Sequence, residues 1–211
     1  MHAATRAMPV DTLLSEEDAA RVRWYRFLAR VFQAAPDESL LASVAASAAP
    51  GSPDPQAPPL ALAWVDLAEA ARRSSAAAVR EEYDRLFVSV GKAPVLLNAS
   101  YHLSGFLNER PLADLREHLA TLGLARRTDV GETEDHLASL CEVMALLIES
   151  DDPRLGAVST QQAFFRRFVS SWYERLAESV AGCDEAQFYR PVARLMQSFL
   201  DVERQAFDFE A

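Results

Sequence analysis

Between Leu137 and Ile148, the apolar residues Leu137, Leu140, Cys141, Met144, Leu147 and Ile148 recur every three or four positions. That spacing returns a side chain to one face of an α-helix at each turn, and to no single face of a strand. The same period runs through Val22, Tyr25, Phe27, Leu28 and Phe32, through Val79, Tyr83, Leu86, Phe87 and Val90, and through Phe164, Phe165, Phe168, Val169, Trp172 and Leu176. Ala and Leu are abundant, Thr, Val and Ile are sparse, and Gly is scarce at seven residues, a balance that favours helix over strand. The pattern predicts an all-α chain, a single compact helical bundle of about eight to ten helices. Its 211 residues suit one domain spanning 1–211, and no internal repeat is visible.

Local signals set the expected boundaries. Ser15, with Asp18 three residues on, resembles a capping box for a helix running to Gln33. A short helix from Glu38 to about Ala48 is expected next. Ala49–Pro59 holds five prolines in eleven residues and reads as a flexible loop. Helices are then expected over Leu60–Arg73, Ala76–Val90, Ser100–Glu109 and from Pro111 to Gly123. Further helices are expected over Thr133–Ser150, Thr160–Val180 and Asp184–Phe207, with Pro191 kinking or dividing the last.

Net charge is -10, and the basic residues are scattered, twenty Arg and the single Lys92. Such a chain is a poor nucleic-acid binder and favours a cationic partner. Cys141 and Cys183 have no ligand spacing and imply neither a disulfide framework nor a zinc site. The start, MHAATRAMPV, has no apolar export core, and no apolar run approaches the ~18 residues of a membrane span, so the expected location is the cytoplasm without stable membrane insertion.

Signals for catalysis are absent. The residues three before His102, His118 and His136 are Ala99, Leu115 and Thr133, so the Glu-x-x-His spacing of di-metal bundles does not occur. No GxSxG elbow, Walker loop or GxGxxG is present, and the reading is of a non-enzyme without metal or cofactor. The segment from Gly131 to Asp152 carries many carboxylates and neither Lys nor Arg. It admits two readings. In one, Thr133 caps a helix, Glu134 and Asp135 complement its dipole, and His136 is structural. In the other, Glu132, Asp135, Ser139 and Glu142 share a helix face, making a line of carboxylates beside an apolar stripe that would receive a basic or amphipathic peptide.

Four stretches resemble the TorD/DmsD family of redox-enzyme maturation chaperones: EEYDRLFV (81–88), SGFLNERPLADLREHLATLGL (104–124), ETEDHLASLCEVMALLI (132–148) and QQAFFRRFVSSWYERLAESV (161–180). Thr133 and Phe168 depart from the family pattern, which usually has Pro and often His there, and of its Pro-Tyr-x-Ser-x-Tyr stretch only Tyr101 is kept. NASYHLSGFLNERPL is similar to a branch associated with formate dehydrogenase maturation. The resemblance implies a cytoplasmic chaperone that binds the twin-arginine leader peptide, or the apo form, of a molybdopterin-containing oxidoreductase subunit before export. Asp135, His136, Glu132 and Glu142 would meet the arginines or peptide backbone, Tyr83, Phe87 and Tyr101 would line the apolar part of the groove, and Glu109 is a further candidate. The alternatives are a helical scaffold that recruits a partner without assisting cofactor insertion, and an enzyme built on a carboxylate–histidine pair. A monomer, or a dimer that exchanges its N-terminal helices through the 49–59 loop, would fit the sequence.

Overall fold

The computed structural model describes residues 14–48, 54, 56–88, 93–127 and 131–209. Their regular structure is helical: α1 (Glu16–Gln33), α2 (Glu38–Ala46), α3 (Pro59–Arg73), α4 (Ala76–Tyr83), α5 (Ala99–Ser104), α6 (Arg110–Thr121), α7 (Leu137–Glu149), α8 (Val158–Phe164), α9 (Tyr173–Ala181) and α10 (Tyr189–Phe209). The expectation of an all-α fold of this size holds. Within the expected 49–59 loop, residues 49–53 and 55 lie outside the described residues, as do Val90, Lys92 and the N-terminal thirteen residues.

Several helix starts follow directly from local chemistry. Ser15 Oγ accepts from the Asp18 backbone N–H, and three acidic residues occupy the first turn of α1. Asp37 and Ser75 cap α2 and α4 in the same way. Pro59 opens α3, and Pro111 lies in the first turn of α6, where a missing N–H costs nothing. Helix α1 lies along α7, α10 packs on α3 and α9, and α2 packs on α3. The buried side chains form one cluster, with Tyr25, Leu67, Met144, Phe164, Trp172 and Leu195 among its members. Cys141 lies in it, as its helix face required.

Five features differ from the sequence reading. Helix α7 begins at Leu137 instead of Thr133, because the preceding residues turn away to bond α5. The Thr160–Val180 helix is interrupted: Phe165–Val169 is π-helical, with Ser170 N–H donating to Phe165 O at 2.8 Å, and Trp172 leaves helical backbone before α9. The wider turn lets Phe164, Phe165, Phe168 and Val169 all reach the interior. A second π-helical turn, Asp84–Val88, continues α4. Helix α5 stops at Ser104, where Gly105 adopts φ 83°, a left-handed stop that glycine adopts without strain. Pro191 neither kinks nor divides α10, since it falls in the first turn, where no intrahelical bond is lost.

Candidate functional site

The Asp135–His136 pair sits where α5 meets α7. Asn98 and His136 form an isolated antiparallel bridge, with Ala99 N–H donating to Asp135 O at 2.9 Å and Leu137 N–H to Leu97 O at 2.8 Å. The Asp135 carboxylate accepts from the Ser100 backbone N–H at 2.9 Å, Thr133 Oγ1 at 2.6 Å and Asn98 Nδ2 at 3.3 Å. Asp135 therefore caps α5 from a distant part of the chain, while Asn98, at the cap position itself, leaves that role open. Burial disfavours its charge, but the hydrogen bonds from Ser100, Thr133 and Asn98 outweigh that and hold its carboxyl below the usual range.

His136 is the cap of α7. Its Nδ1 accepts from the Ala138 backbone N–H at 3.2 Å, which requires that nitrogen to be unprotonated. Burial lowers its basicity, against the pull of Glu132 and Asp135. Capping thus falls to His136, and Thr133 serves Asp135 instead. The expected row of Glu132, Asp135, Ser139 and Glu142 on one helix face does not form, because Glu132 and Asp135 precede the helix and Asp135 is only 1% exposed.

A small hollow of about 170 Å³ lies at the junction itself, lined by Ala99, Leu103, Leu115, Asp135, Arg167 and Phe168. A larger concave surface lies along α7. A groove of about 430 Å³ runs between the C-terminal end of α6, the 124–127 segment and α7, and reaches Gln33 at the end of α1. Leu119, Leu124 and Val143 form its apolar floor, and Glu134, Ser139, Glu142, Arg126 and Arg127 its polar walls. A second hollow of about 530 Å³ shares Ala125, Arg127, Glu142 and Val143 and extends past Leu146 to Arg26 and Glu149, so the two form one trough along α7.

The charges in this trough are not equivalent. Partial burial works against the charge on Glu134, but Arg116 Nη2 at 2.8 Å and Arg126 Nε at 3.7 Å hold its carboxyl below the usual range. Glu149 pairs with Arg26 at 2.6 Å. Glu142, at the waist shared by both hollows, is exposed and has no ion-pair partner among the described residues.

The other candidates are dispersed. Glu132 is exposed, and its carbonyl accepts from Arg126 Nη1 at 3.0 Å. Tyr83 donates to the carbonyls of Phe32 and Gln33 at the end of α1; burial first, then nearby Glu132, push its pKa up to about 12. Phe87 belongs to an aromatic cluster with Phe32, Tyr83 and Tyr189, with ring centroids 4.9–6.3 Å from it. Tyr101 is half-buried on α5, and Glu109 is exposed at the start of α6, at the opposite end of that helix from the groove. The sequence reading assembled these eight into one surface. In the structure the groove wall takes only Glu142 from them, with Tyr83 holding the α1 end that brings Gln33 to it.

Sequence reasoning missed Glu82, which is buried and accepts from the backbone N–H groups of Gln187, Phe188 and Tyr189 at 2.8–3.0 Å, capping α10. It also missed Glu203, held by Arg21 at 2.8 and 2.9 Å and by the Tyr25 hydroxyl at 2.8 Å. No local pattern marks either, because their partners lie more than a hundred residues away.

The arrangement is an all-helical bundle, and the comparisons give its class. The fold matches a crystal structure described as that of a redox enzyme maturation protein from Archaeoglobus fulgidus, with TM-score 0.57 and 20% identity, covering 92% of this chain and 99% of that one. Residues 54–178 match the family model described as the nitrate reductase delta subunit, and the chain belongs to that family, which takes in the TorD proteins. It is 30% identical over 125 residues to the chaperone protein TorD of Aliivibrio fischeri and 29% identical over 126 residues to that of Photobacterium profundum. Each alignment covers 56% of this chain and spans 58% of the length of the relative. Among the described residues, no helix is long and apolar enough to cross a membrane.

Proposed function

We propose that this chain is a cytoplasmic maturation chaperone for a molybdenum-cofactor oxidoreductase, acting by binding rather than by catalysis. It engages the twin-arginine leader, or the apo-enzyme behind it, until the cofactor is inserted. The observation that carries this reading is the family membership of residues 54–178, together with the similarity to TorD chaperones. The trough along α7 supports it: an apolar floor suits the apolar stretch of a leader, and the unpaired Glu142 offers a charge-assisted hydrogen bond to one of its arginines. Glu132 adds negative charge nearby. Asp135 and His136 act indirectly, by fixing the α5–α7 junction that sets the groove's end. A formate dehydrogenase is the client this reading names first, from the likeness of NASYHLSGFLNERPL to that branch.

Calorimetric titration with a twin-arginine leader tests this. Wild type should bind, with affinity falling as salt rises, and Glu142→Gln should weaken binding by roughly 1–2 kcal/mol, the worth of one partly exposed charged hydrogen bond. Lys-for-Arg leaders should bind less tightly than Arg-Arg leaders. A folded protein that ignores every leader yet recruits a mature, folded oxidoreductase would replace this reading with the scaffold.

A further inference from the structure

The trough read above as the site for a cationic leader already contains two consecutive arginines of the chain itself, Arg126 and Arg127. A glycine stop places them there. Gly123 adopts φ 72°, its N–H donates to Ala120 O at 3.0 Å, and Leu124 N–H donates to Leu119 O at 2.9 Å, which ends α6 and turns the chain. Beyond this turn, Leu124-Ala125-Arg126-Arg127 lines the groove together with Ser139, Glu142 and Val143 of α7. Leu124 joins the apolar floor, and the two arginines share the hollow with Glu134 and Glu142. The segment thus carries, within the chain, the two chemistries a leader would bring: an apolar side chain and a pair of guanidinium groups.

The charges of this hollow balance. Glu134 and Glu142 are matched one for one by Arg126 and Arg127. A lining without net charge draws a cationic peptide only weakly. The match is a loose one. Arg116 grips Glu134 through one oxygen, Oε2, with Nε at 2.9 Å and Nη2 at 2.8 Å. Arg126 Nε stands 3.7 Å from the other oxygen, Oε1, beyond hydrogen-bond reach, while its Nη1 donates to the Glu132 carbonyl at 3.0 Å. Arg127 is exposed and lines both hollows, as Glu142 does. Ion pairs held this loosely at a surface exchange partners at little cost. An incoming guanidinium that closes to hydrogen-bond distance makes the stronger contact.

We propose that Arg126 and Arg127 are an internal stand-in for the arginines of a client leader: they occupy the trough between clients and yield to the incoming pair. The leader's guanidinium groups then take Glu142 and the place of Arg126 at Glu134 Oε1. Glu134 keeps Arg116 throughout, so the wall of the groove holds while the occupant changes. Because the stand-in is part of the chain, it competes at a high effective concentration and holds leader affinity down. A client that brings two arginines replaces both internal charges, whereas one that brings a single arginine leaves one of them opposing it. The inference rests on the leader-binding reading and adds to it the regulation of that site.

The test is calorimetric titration of the full chain with a twin-arginine leader peptide. It compares wild type, Arg127→Gln, the double variant Arg126→Gln with Arg127→Gln, and Arg194→Gln. Arg194 is an exposed residue of α10 that lies 3.7 Å from Asp66 of α3, so its loss makes the same change in net charge as Arg127→Gln, away from the trough. Thermal melts confirm that each variant folds. Arg127→Gln should bind the leader about threefold to tenfold more tightly, the effect of removing one like charge a few ångströms away near a surface. The double variant should bind more tightly still, and its affinity should fall more steeply with salt, because the trough has become net negative. Arg194→Gln should stay within about twofold of wild type. Equal affinity in wild type and both trough variants would overturn the inference and leave the leader reading standing. Weaker binding in the trough variants would overturn it too, by making the two arginines part of the client contact. An equal gain in Arg194→Gln would overturn it in favour of overall charge. Leader binding by none of the four folded proteins would remove the inference and the leader reading together.

Discussion

Asp135 reaches across thirty-five residues of sequence to accept the Ser100 backbone N–H at 2.9 Å, so one carboxylate both starts α5 and ties it to the chain entering α7. The same side chain takes Thr133 Oγ1 and Asn98 Nδ2. An acidic residue beside a histidine, at the approach to a helix, serves here as an internal fastener.

Removing that fastener should destabilise the fold more than it disturbs any surface. Asp135→Ala leaves buried donors unmatched and should cost about 2–4 kcal/mol, read as a lower midpoint in urea unfolding. Asp135→Asn keeps part of the bonding and should cost less. In either variant, leader affinity corrected for the folded fraction should stay close to wild type. A large loss of affinity in a fully folded Asp135→Asn protein would place the carboxylate in direct contact with the peptide.

Stability should fall as pH drops from neutral toward 5, well before carboxylates titrate. His102, His118 and His136 are each held below the ordinary imidazole value of about 6.5, chiefly by burial. Between 6.5 and their lowered folded values, the unfolded chain binds protons that the folded chain refuses, so the folded state loses ground with each step down in pH. Protonating His136 at Nδ1 would also remove the α7 cap. Asp135 has the opposite character as an acid: its depressed carboxyl adds stability above its unfolded value of about 3.8, lost only as pH falls through its folded value. Urea midpoints at pH 7.5 and 5.5 should differ in wild type, and the difference should shrink in His136→Asn, which retains a capping acceptor without a titrating group.

Glu82 should prove as important to stability as Asp135, although neighbouring Glu81 is expendable. Its carboxylate takes three backbone N–H groups at the start of α10. Glu82→Ala should cost about 2–4 kcal/mol, and the exposed Glu81→Ala no more than about 0.5 kcal/mol. Hydrogen exchange of the amides at 187–189 should speed up in the first variant alone.

The Glu203 network makes an asymmetric prediction. Breaking it on one side, as in Glu203→Ala, leaves the Tyr25 hydroxyl without its acceptor and the Arg21 guanidinium with only Asp18 and Gln161, each at 3.0 Å, and should cost roughly 2–4 kcal/mol. The double change Arg21→Met with Glu203→Leu should recover much of that loss, because no buried charge is left unpaired. A thermal-melt cycle over the two single variants and the double variant measures the coupling.

The sequence yielded most where causes are local. The Ser15 cap, the apolar stripe of α7 and the first-turn Pro111 are written within a few residues of where they act, and the structure has them there. It misled where the cause is distant. The carboxylates before Leu137 looked like the first turn of a helix, but Asp135 is drawn to Ser100, so the helix begins later and the acidic row dissolves. Pro191 looked like a break because the start of α10 depends on Glu82, which nothing near Pro191 reveals. Glu142 was legible as a site candidate. What the sequence could not supply is that Glu134 and Glu149 are already neutralised by Arg116 and Arg26, which leaves Glu142 as the carboxylate open to a partner.

The central claim is that the trough along α7 is where a client leader docks. Hydrogen–deuterium exchange of the chain with and without a saturating twin-arginine leader locates the contact without any substitution. The account predicts slower exchange over 119–127 and 137–149, with the 59–73 helix unchanged. Protection confined to other helices, or no change at saturating leader, would contradict it.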